Sequence, residues 1–243
     1  MAMSGKKLVL IGGGGHCKSV LDAAVRSGCF SEIVITDHSI PAGNTILGCK
    51  VAGNDELLPE LFAEGFKYAF VTIGSIGSTD KRREVFLKAK KAGFLFPAII
   101  DPSAAAAASA FIAPGVFIGK KAVVNADAVI DDMAIINTGA IVEHDCRIGM
   151  FAHISVGAAV CGGAEIERDV FVGANATVIQ GVRIGMNSII GAGSTICRDV
   201  PENCTVTGVF HGGGVNDKLN YLSYFYKSTY AYRYFKLVGR YAV

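Results

Sequence analysis

The chain has 243 residues, of which 51% are hydrophobic and 18% charged, with 30 glycines, 6 prolines and no tryptophan. Low charge with high apolar content excludes an intrinsically disordered chain, and the length suits one or two domains. A net charge of +2 gives no support to a nucleic-acid partner, which needs a basic surface. No apolar run reaches about 18 residues, so we expect no transmembrane segment. Seven scattered cysteines without a CxxC pair favour a reducing cytoplasm over a disulfide or zinc framework.

The first hundred residues alternate between apolar runs and amphipathic stretches. Lys7–Ile11 is an apolar run that ends in four glycines, and an amphipathic stretch and a second run at 32–35 follow it. Tyr68–Ile73 then leads into Gly74 and Ser75, before a helical stretch at 79–92. Strand, glycine loop, helix and strand form a βαβ unit. This order predicts a small Rossmann-like α/β domain with a parallel sheet.

The glycine loop is the candidate ligand site of this domain. Backbone N–H groups at the start of a helix favour an anion, and glycines allow close approach. Asp37, about twenty residues on, is placed to accept from a ribose or a base edge. We favour ligand contact for His16 over a simple helix-start role, and we treat His38 and His211 as bystanders. A purely structural tight turn is the alternative. The candidate ligand residues are Gly12, Gly13, Gly14, Gly15, His16 and Asp37.

The strongest pattern is a period of six residues that runs from Ile112 to Ile196. Fifteen successive positions at this spacing, the anchors, are all Ile or Val. The residue two before each anchor is usually small, and the residue after it is often Gly or Asn, as at Gly119 and Asn125. Six residues fit one short strand and one tight turn, not a helix of period 3.6. Because Gly and Asn tolerate positive φ, we expect the residues after the anchors to form the corners.

Three rungs close one triangular coil, so fifteen rungs predict about five coils of a parallel β-helix of the hexapeptide type. A β-sandwich is the alternative, but it would not keep one register across its turns. The period begins near Asp101 and ends after Ile196, where Pro201 and Glu202 break it. We therefore expect an N-terminal domain at residues 1–101, a β-helix at 102–209 and a C-terminal tail at 210–243.

One segment of the repeat, Glu143, His144 and Asp145, holds its densest ionisable cluster. A histidine beside carboxylates can be held in one tautomer and kept basic, which suits a general base. His153 lies nine residues beyond His144, half a coil, so the two imidazoles occupy different edges and one of them can face a neighbouring subunit. A surface charge cluster is the alternative for the whole group. A metal-dependent trimer would need three histidines, and the ladder holds two, so we expect no metal.

These motifs together resemble a known family. The ladder resembles the left-handed β-helix of bacterial hexapeptide acyltransferases. Residues 10–16 with 19–22, and residues 137–149 with 153–157, are similar to the sugar O- and N-acetyltransferases. Members of that subfamily include sialic acid O-acetyltransferase and the acetyltransferases of UDP-4-amino sugars and perosamine. The resemblance covers about residues 6–200.

The resemblance implies a homotrimer that carries its active sites between adjacent β-helices and uses acetyl-CoA as co-substrate. It assigns the base to His144 and the partner carboxylate to Asp145, with Glu143 as the competing candidate. His153 would lie near the acetyl carbonyl or the substrate amine. The implied contacts of the nucleotide sugar are the glycine loop, Gly74 and Ser75, and those of the cofactor are His153, Gly162 and Gly173.

The implied reaction is N-acetylation of a UDP-, GDP- or dTDP-linked 4-amino-deoxysugar by direct attack on the thioester. O-acetylation of a sugar hydroxyl, as in sialic acid, and a non-catalytic β-helix scaffold are the alternatives. The chain departs from the family after residue 206, where the usual cofactor-closing stretch is replaced and a basic, tyrosine-rich tail follows. We expect that tail to pack on a neighbouring subunit.

Overall fold

The computed structural model describes residues 5–211 and one further short strand at 225–226; the other predictions for the tail lie outside the described residues. The N-terminal domain has a five-stranded sheet of order β3-β4-β2-β1-β5, parallel except for the β3–β4 hairpin. Its elements are β1 (Lys7–Ile11), α1 (Gly15–Ser27), β2 (Glu32–Thr36), β3 (Thr45–Ile46), β4 (Cys49–Gly53), α2 (Leu58–Ala63), β5 (Tyr68–Val71) and α3 (Asp80–Lys91), with a 3-10 turn at Asp55–Leu57. The predicted Rossmann-like α/β domain is confirmed.

Strand β1 lies at the centre of two apolar layers because its side chains alternate between the faces of the sheet. Leu8 and Leu10 pack with the buried face of α1, whereas Val9 and Ile11 pack with α2 and α3. All four side chains are fully buried. Helix α1 ends at Gly28, whose φ of 64° supplies the left-handed C-cap. The sheet is therefore covered by helices on both faces, as its near-continuous apolar strands require.

The second domain is the predicted left-handed β-helix. From β6 to β22 each rung is a two-residue strand, and parallel pairing links rungs eighteen residues apart, as in Val124 with Val142. From Ile112 to Ile196 the second residue of each strand is the anchor. The rungs are β6 (Ile99–Ile100), β7 (Ala105–Ala106), β8 (Phe111–Ile112), β9 (Phe117–Ile118), β10 (Val123–Val124), β11 (Val129–Ile130), β12 (Ile135–Ile136), β13 (Ile141–Val142), β14 (Arg147–Ile148), β15 (His153–Ile154), β16 (Ala159–Val160), β17 (Glu165–Ile166), β18 (Phe171–Val172), β19 (Thr177–Val178), β20 (Arg183–Ile184), β21 (Ile189–Ile190), β22 (Thr195–Ile196), β23 (Cys204–Val206) and β24 (Val209–Phe210). The anchors and the small residues two before them fill one continuous core.

The ladder extends beyond the six-residue pattern at both ends. Its first rung is β6, which pairs with β9 and lies just before the expected boundary at residue 101. At the other end Val200 bridges Ile184, and β23 and β24 continue the parallel pairing after Pro201. Strand β25 (Phe225–Tyr226) adds to β23 in antiparallel fashion. Parallel backbone pairing therefore continues beyond Ile196, where the six-residue anchor spacing ends.

The corners differ from the expectation. Positive φ occurs three residues after fourteen of the fifteen anchors, at residues such as Lys121, Met133, Phe151 and Gly193, and not at the residue directly after an anchor. The residue after the anchor is small for a different reason. A Cβ on Gly149 would lie 2.5 Å from the backbone nitrogen of Arg168 in the next coil. Glycine is needed there for close approach between coils, not for φ.

The triangular coil has three outer faces, which we name by what they carry. The domain face (β6, β9, β12, β15, β18, β21, β23, β25) lies under the N-terminal domain, and its Phe117 and Ile135 join the core that contains Leu8 and Leu10. The charged face (β8, β11, β14, β17, β20) aligns Arg147, Glu165 and Arg183 in register. The uncharged face consists of β7, β10, β13, β16, β19, β22 and β24. Its outward residues are Ala105, Val123, Ile141, Ala159, Thr177, Thr195 and Val209.

No helix in the described part of the chain is long and apolar enough to cross a membrane.

The close approach between coils predicts a difference between two glycine-to-alanine changes. Gly149→Ala introduces a methyl group against backbone and should lower the free energy of unfolding by about 3 kcal/mol or more. Gly193→Ala has a φ of 67° but open space around its Cβ, so its loss should be about 1 kcal/mol. Urea unfolding of the two variants measures this difference, and equal losses would contradict the packing explanation.

Candidate active site

The glycine loop joins β1 to α1, and each glycine has its own surroundings. Gly12 has a φ of 110°, and a Cβ there would meet Ile73 at 2.8 Å. A Cβ on Gly13 would meet Ile40 at 2.6 Å. Gly14 and Gly15 face open space. The first two glycines therefore let the loop pack tightly against the domain, and the last two leave room for a ligand.

The carboxylate of Asp37 fixes this loop by hydrogen bonds. Its Oδ2 accepts the N–H of Gly13 at 2.6 Å, and its Oδ1 accepts from Ser39 N, Ser39 Oγ and Ile40 N. Burial alone would raise the pKa of Asp37, but the hydrogen bonds from Ser39, Gly13 and Ile40 outweigh it and lower the pKa. Asp37 is thus an ionised carboxylate that already serves four protein donors.

A cavity of about 840 Å³ opens above the loop, between the N-terminal domain and the domain face. The predicted ligand residues that line it are Gly12, Gly14, Gly15, His16, Asp37, Gly74, Ser75 and His153; Gly13 lies beneath them. Lys81, Glu84 and Lys88 of α3 form one wall, and Asn54, Asp55 and Glu56 form another part of it. His38, which the sequence analysis set aside as a bystander, also lines the cavity. The one sequence signal for His38 was its position directly after Asp37.

His16, the second residue of α1, presents an uncharged imidazole to the cavity. Burial, followed by the charges of His153 and Arg82, lowers its pKa to about 3. Its ring packs edge-on against Phe117, with centroids 5.2 Å apart. Its Nε2 is buried and has no hydrogen-bond partner among the described residues. A neutral ring with one unsatisfied nitrogen in a cavity wall is suited to a polar ligand atom.

His153 lies on β15 and closes the cavity from the side of the β-helix. Its Nδ1 donates to the backbone oxygen of Ser75 at 3.2 Å, and its Nε2 accepts from Asn137 at 3.2 Å. The Ser75 carbonyl can only accept, which sets the tautomer. Burial lowers the pKa of His153 to about 4, so the ring is neutral at physiological pH. With both nitrogens engaged and this low basicity, His153 is a poorer general base than His144.

His144 is in the opposite situation. It lies at the corner between the uncharged and charged faces, and its side chain is 61% exposed. Its Nδ1 lies 2.7 Å from Oδ2 of Asp145, and this hydrogen bond raises the pKa of the imidazole. Glu143 does not touch the ring, because its Oε2 accepts from Asn125 and from the backbone N–H of His144. Of the two candidate carboxylates, Asp145 is therefore the one that contacts and orients the His144 ring.

Of the two predicted cofactor glycines, Gly162 lies one coil beyond His144 at the same corner, and Gly173 follows β18 at another corner. A Cβ on Gly162 would come within 2.7 Å of Cε1 and Nε2 of His144, so the imidazole packs directly on Gly162. Gly173 lies against the backbone of the next coil, at 2.5 Å from Ala192 N to an added Cβ. Gly162 thus makes room for the imidazole of His144, and Gly173 allows the coils to stack.

The structure does not bring all predicted site residues together within one chain. Gly12 to His16, Gly74, Ser75 and His153 surround the cavity. His144 and Asp145 lie at the one corner of the triangle that does not touch the domain face. Among residues 5–211, no group of three or more His, Cys, Asp or Glu side chains is arranged to hold a metal ion.

Comparison with known proteins identifies the family. The family model of the PglD N-terminal domain matches residues 7–89, and that of the bacterial transferase hexapeptide (six repeats) matches residues 163–198. Among curated proteins none matches the chain.

Two solved structures resemble both domains together. The acetyltransferase domain of PglB from Neisseria gonorrhoeae, in complex with acetyl coenzyme A, is 36% identical at a TM-score of 0.79, over 84% of this chain and 97% of that chain. A mutant of GDP-perosamine N-acetyltransferase from Caulobacter crescentus, in complex with CoA and GDP-perosamine, is 37% identical at a TM-score of 0.75, over 83% and 93%. The chain belongs to the hexapeptide acyltransferases, in the sugar O- and N-acetyltransferase subfamily. This acyltransferase is an acetyl-CoA:sugar acetyltransferase, with acetyl-CoA as its co-substrate.

The contact between Gly162 and the imidazole predicts a loss of activity without a loss of fold. Gly162→Ala should displace the exposed ring of His144 and lower kcat of the acetyltransferase about tenfold or more, with little change in Tm. In a His144→Ala background the same change should have no further effect, since no ring remains to be displaced. Steady-state kinetics of the two single variants and the double variant test this. Additive losses would show that Gly162 acts on something other than His144.

Proposed function

We propose that the protein transfers the acetyl group of acetyl-CoA to the amine of a nucleotide-linked amino sugar, a UDP-, GDP- or dTDP-4-amino-deoxysugar. The observation that carries the proposal is the His144–Asp145 pair, an exposed imidazole whose hydrogen bond to a carboxylate raises its pKa. Such a ring can accept a proton near neutral pH and keeps one nitrogen, Nε2, for the substrate.

The cavity supports a nucleotide-bearing acceptor. Gly14 and Gly15 leave open space at the N-terminus of α1, a 13-residue helix whose first N–H groups suit a diphosphate. The cavity volume of about 840 Å³ is within the range of sites that enclose whole small-molecule ligands. Three of the similar structures, all of the enzyme from Caulobacter crescentus, contain GDP-perosamine. Gly74, Ser75, His16 and His153 remain candidates for contacts with the sugar.

The proposed reaction is a direct attack with no covalent enzyme intermediate. The lone pair of the amine adds to the thioester carbonyl carbon, and Nε2 of His144 takes the proton that the nitrogen loses. The C–S bond then breaks, and the sulfur of coenzyme A takes the proton from the imidazolium of His144, so that coenzyme A leaves as the thiol and the ring is neutral again. The Asp145 carboxylate accepts from Nδ1–H of His144 and stabilises the imidazolium. The carboxylate is already in place before the proton transfer, so it does not have to move during the step. Gly162 and Gly173 remain candidates for the cofactor groove.

We also propose that the working unit is a homotrimer. His144 and the cavity lie on opposite sides of the same β-helix, so one chain alone cannot bring the base to the acceptor. The uncharged face ends at the His144 corner and presents no charged side chain along its seven outward positions, with Ile141 and Val209 exposed. An apolar strip of this kind suits burial against a second copy. Packing around a threefold axis would bring the His144 corner of one copy to the cavity of the next.

The proposal predicts the outcome of a substrate panel. With acetyl-CoA and a set of UDP-, GDP- and dTDP-linked amino sugars, thiol release should occur with at least one. His144→Ala should lower kcat/KM for that substrate about a hundredfold or more, because the general base is lost. Mass spectrometry of the product distinguishes an amide from an ester. Turnover of free sialic acid, with none of any amino sugar, would instead establish O-acetylation, and full activity of His144→Ala would remove its assigned role.

The Asp145 contact predicts a shift in the pH profile. The hydrogen bond to Asp145 raises the pKa of His144 above 6.5, so activity should fall as pH decreases through that raised value. Asp145→Asn should move this acid limb to lower pH and reduce the maximum rate, since the carboxylate no longer favours the charged ring. Glu143→Gln, which leaves the Asp145 contact intact, is the matched control and should move the limb less. Using one substrate throughout cancels the titration of its amine; an unmoved limb in Asp145→Asn would contradict the pairing.

A further inference from the structure

Arg82 is the largest of the fully buried side chains among the described residues. Neither the fold nor the proposed reaction explains why it is there. It lies on α3, is 2% exposed, and reaches into the junction between the two domains. Its Nη1 donates to Ser75 Oγ at 3.2 Å and to the backbone oxygen of Phe151 at 3.1 Å. Its Nη2 donates to the backbone oxygen of Met133. Both carbonyls belong to left-handed corners stacked one coil apart.

These partners do not neutralise the charge of Arg82. All three acceptors are uncharged groups, and Nε is buried with no partner among the described residues. Asp169 lies at the equivalent corner one coil after Phe151, and its carboxylate accepts hydrogen bonds from Arg83 and from Thr79 Oγ1. Burial lowers the pKa of Arg82 only to about 10, so it stays charged. The charge of Asp169 favours the charged form of Arg82, but among the described residues no carboxylate is hydrogen-bonded to the Arg82 guanidinium. A buried charge without such a pair is costly to bury, so stability alone does not explain an arginine at this position.

Arg82 contacts the segments on both sides of one hydrogen bond in the cavity wall, the bond between the Ser75 carbonyl and Nδ1 of His153. Ser75, whose hydroxyl accepts from Arg82, gives its backbone oxygen to Nδ1 of His153. Phe151, whose carbonyl accepts from Arg82, precedes His153 by two residues on the approach to β15. The guanidinium thus ties the loop at 73–77 and the His153 rung to one rigid group, although Arg82 does not itself line the cavity.

The position of the charge also matters for the ligand. Arg82 and the N-terminus of α1 both place positive potential at the cavity, and the field of Arg82 disfavours the charged form of His16 and of His153. The cavity lining also holds two lysines and four carboxylates, Lys81, Lys88, Asp37, Asp55, Glu56 and Glu84. The positive potential from Arg82 and the N-terminus of α1 is therefore local to the part of the wall that carries the two neutral imidazoles, where it favours an anionic group of the acceptor.

We propose that Arg82 is a positioning residue for the acceptor substrate: from behind the cavity wall it holds Ser75 and His153 in register and fixes the tautomer of His153. The proposal rests on the proposed function only in that the cavity receives the acceptor. It assigns no contact between Arg82 and the substrate. A residue that merely docked α3 on the β-helix would affect stability alone.

Arg83 supplies a matched control. It is the next residue of α3, bridges the same domain junction through Asp169 at 2.7 Å, and stacks on the Phe151 ring at 4.5 Å. Its hydrogen bonds go to Asp169, whereas those of Arg82 go to Ser75 and to the Phe151 carbonyl. We expect Arg82→Met to raise KM for the amino-sugar nucleotide about tenfold or more while KM for acetyl-CoA stays unchanged. Arg83→Met should lower Tm and leave both KM values unchanged. Arg82→Lys keeps the charge without the planar fork and should restore KM only in part.

A spectroscopic readout makes the test independent of turnover. In protein labelled with ¹⁵N-histidine, the His153 signals, assigned by their loss in His153→Gln, report which ring nitrogen carries the proton. They should show the Nδ1–H form in the wild type and in Arg83→Met, and a mixture of tautomers in Arg82→Met. Ser75→Ala, which removes only the hydroxyl acceptor, should shift them in the same direction and serves if Arg82→Met does not fold.

Two outcomes would overturn the proposal. One is an unchanged His153 tautomer in both Arg82→Met and Ser75→Ala; the other is equal losses of Tm in Arg82→Met and Arg83→Met with both KM values intact. Failure of the proposed function looks different, because no amino sugar would then be acetylated by the wild type while the tautomer signals would still respond to Arg82.

Discussion

Backbone pairing between coils is the constraint on which the rest of the structure depends. From β6 to β22, each rung is hydrogen-bonded to the rung eighteen residues away, so within this stretch the residue number determines which face a side chain occupies. This pairing places His153 on the domain face under the N-terminal domain. It places His144 at the opposite corner. The nine-residue offset between the two histidines therefore becomes a separation in space that a single chain does not close.

The same scaffold gives the two imidazoles different chemistry. His144 is exposed beside Asp145, which raises its pKa, whereas burial lowers that of His153 to about 4. Environments that separate the pKa values of two titratable groups also suit the groups to different roles. Here they favour proton transfer at His144 and ligand positioning at His153. The loop at Ser75 connects this second role to the N-terminal domain, so acceptor binding and domain docking share one set of hydrogen bonds.

Much of this arrangement could be predicted from the sequence because the β-helix repeats and its pattern is visible in every coil. The βαβ order and the glycine loop were equally local signals. The expectation that the glycines after the anchors form the corners is wrong, because these glycines are required by close contact with the neighbouring coil and not by positive φ. The choice between Glu143 and Asp145 needed the corner geometry. Arg82 was invisible because it stands in a run of charged residues that is typical of a solvated helix face.

The central claim is that each proposed site takes its base from one chain and its cavity from another. Co-expression of His144→Ala with Gly14→Phe, a change that fills the open space at the glycine loop, tests it most directly. Each variant alone should be nearly inactive. Purified mixed trimers should recover about a third of the wild-type rate, because one of the three interfaces in each mixed trimer combines an intact base with an intact cavity. Mixed trimers no more active than the two separate variants would show that both parts come from the same chain.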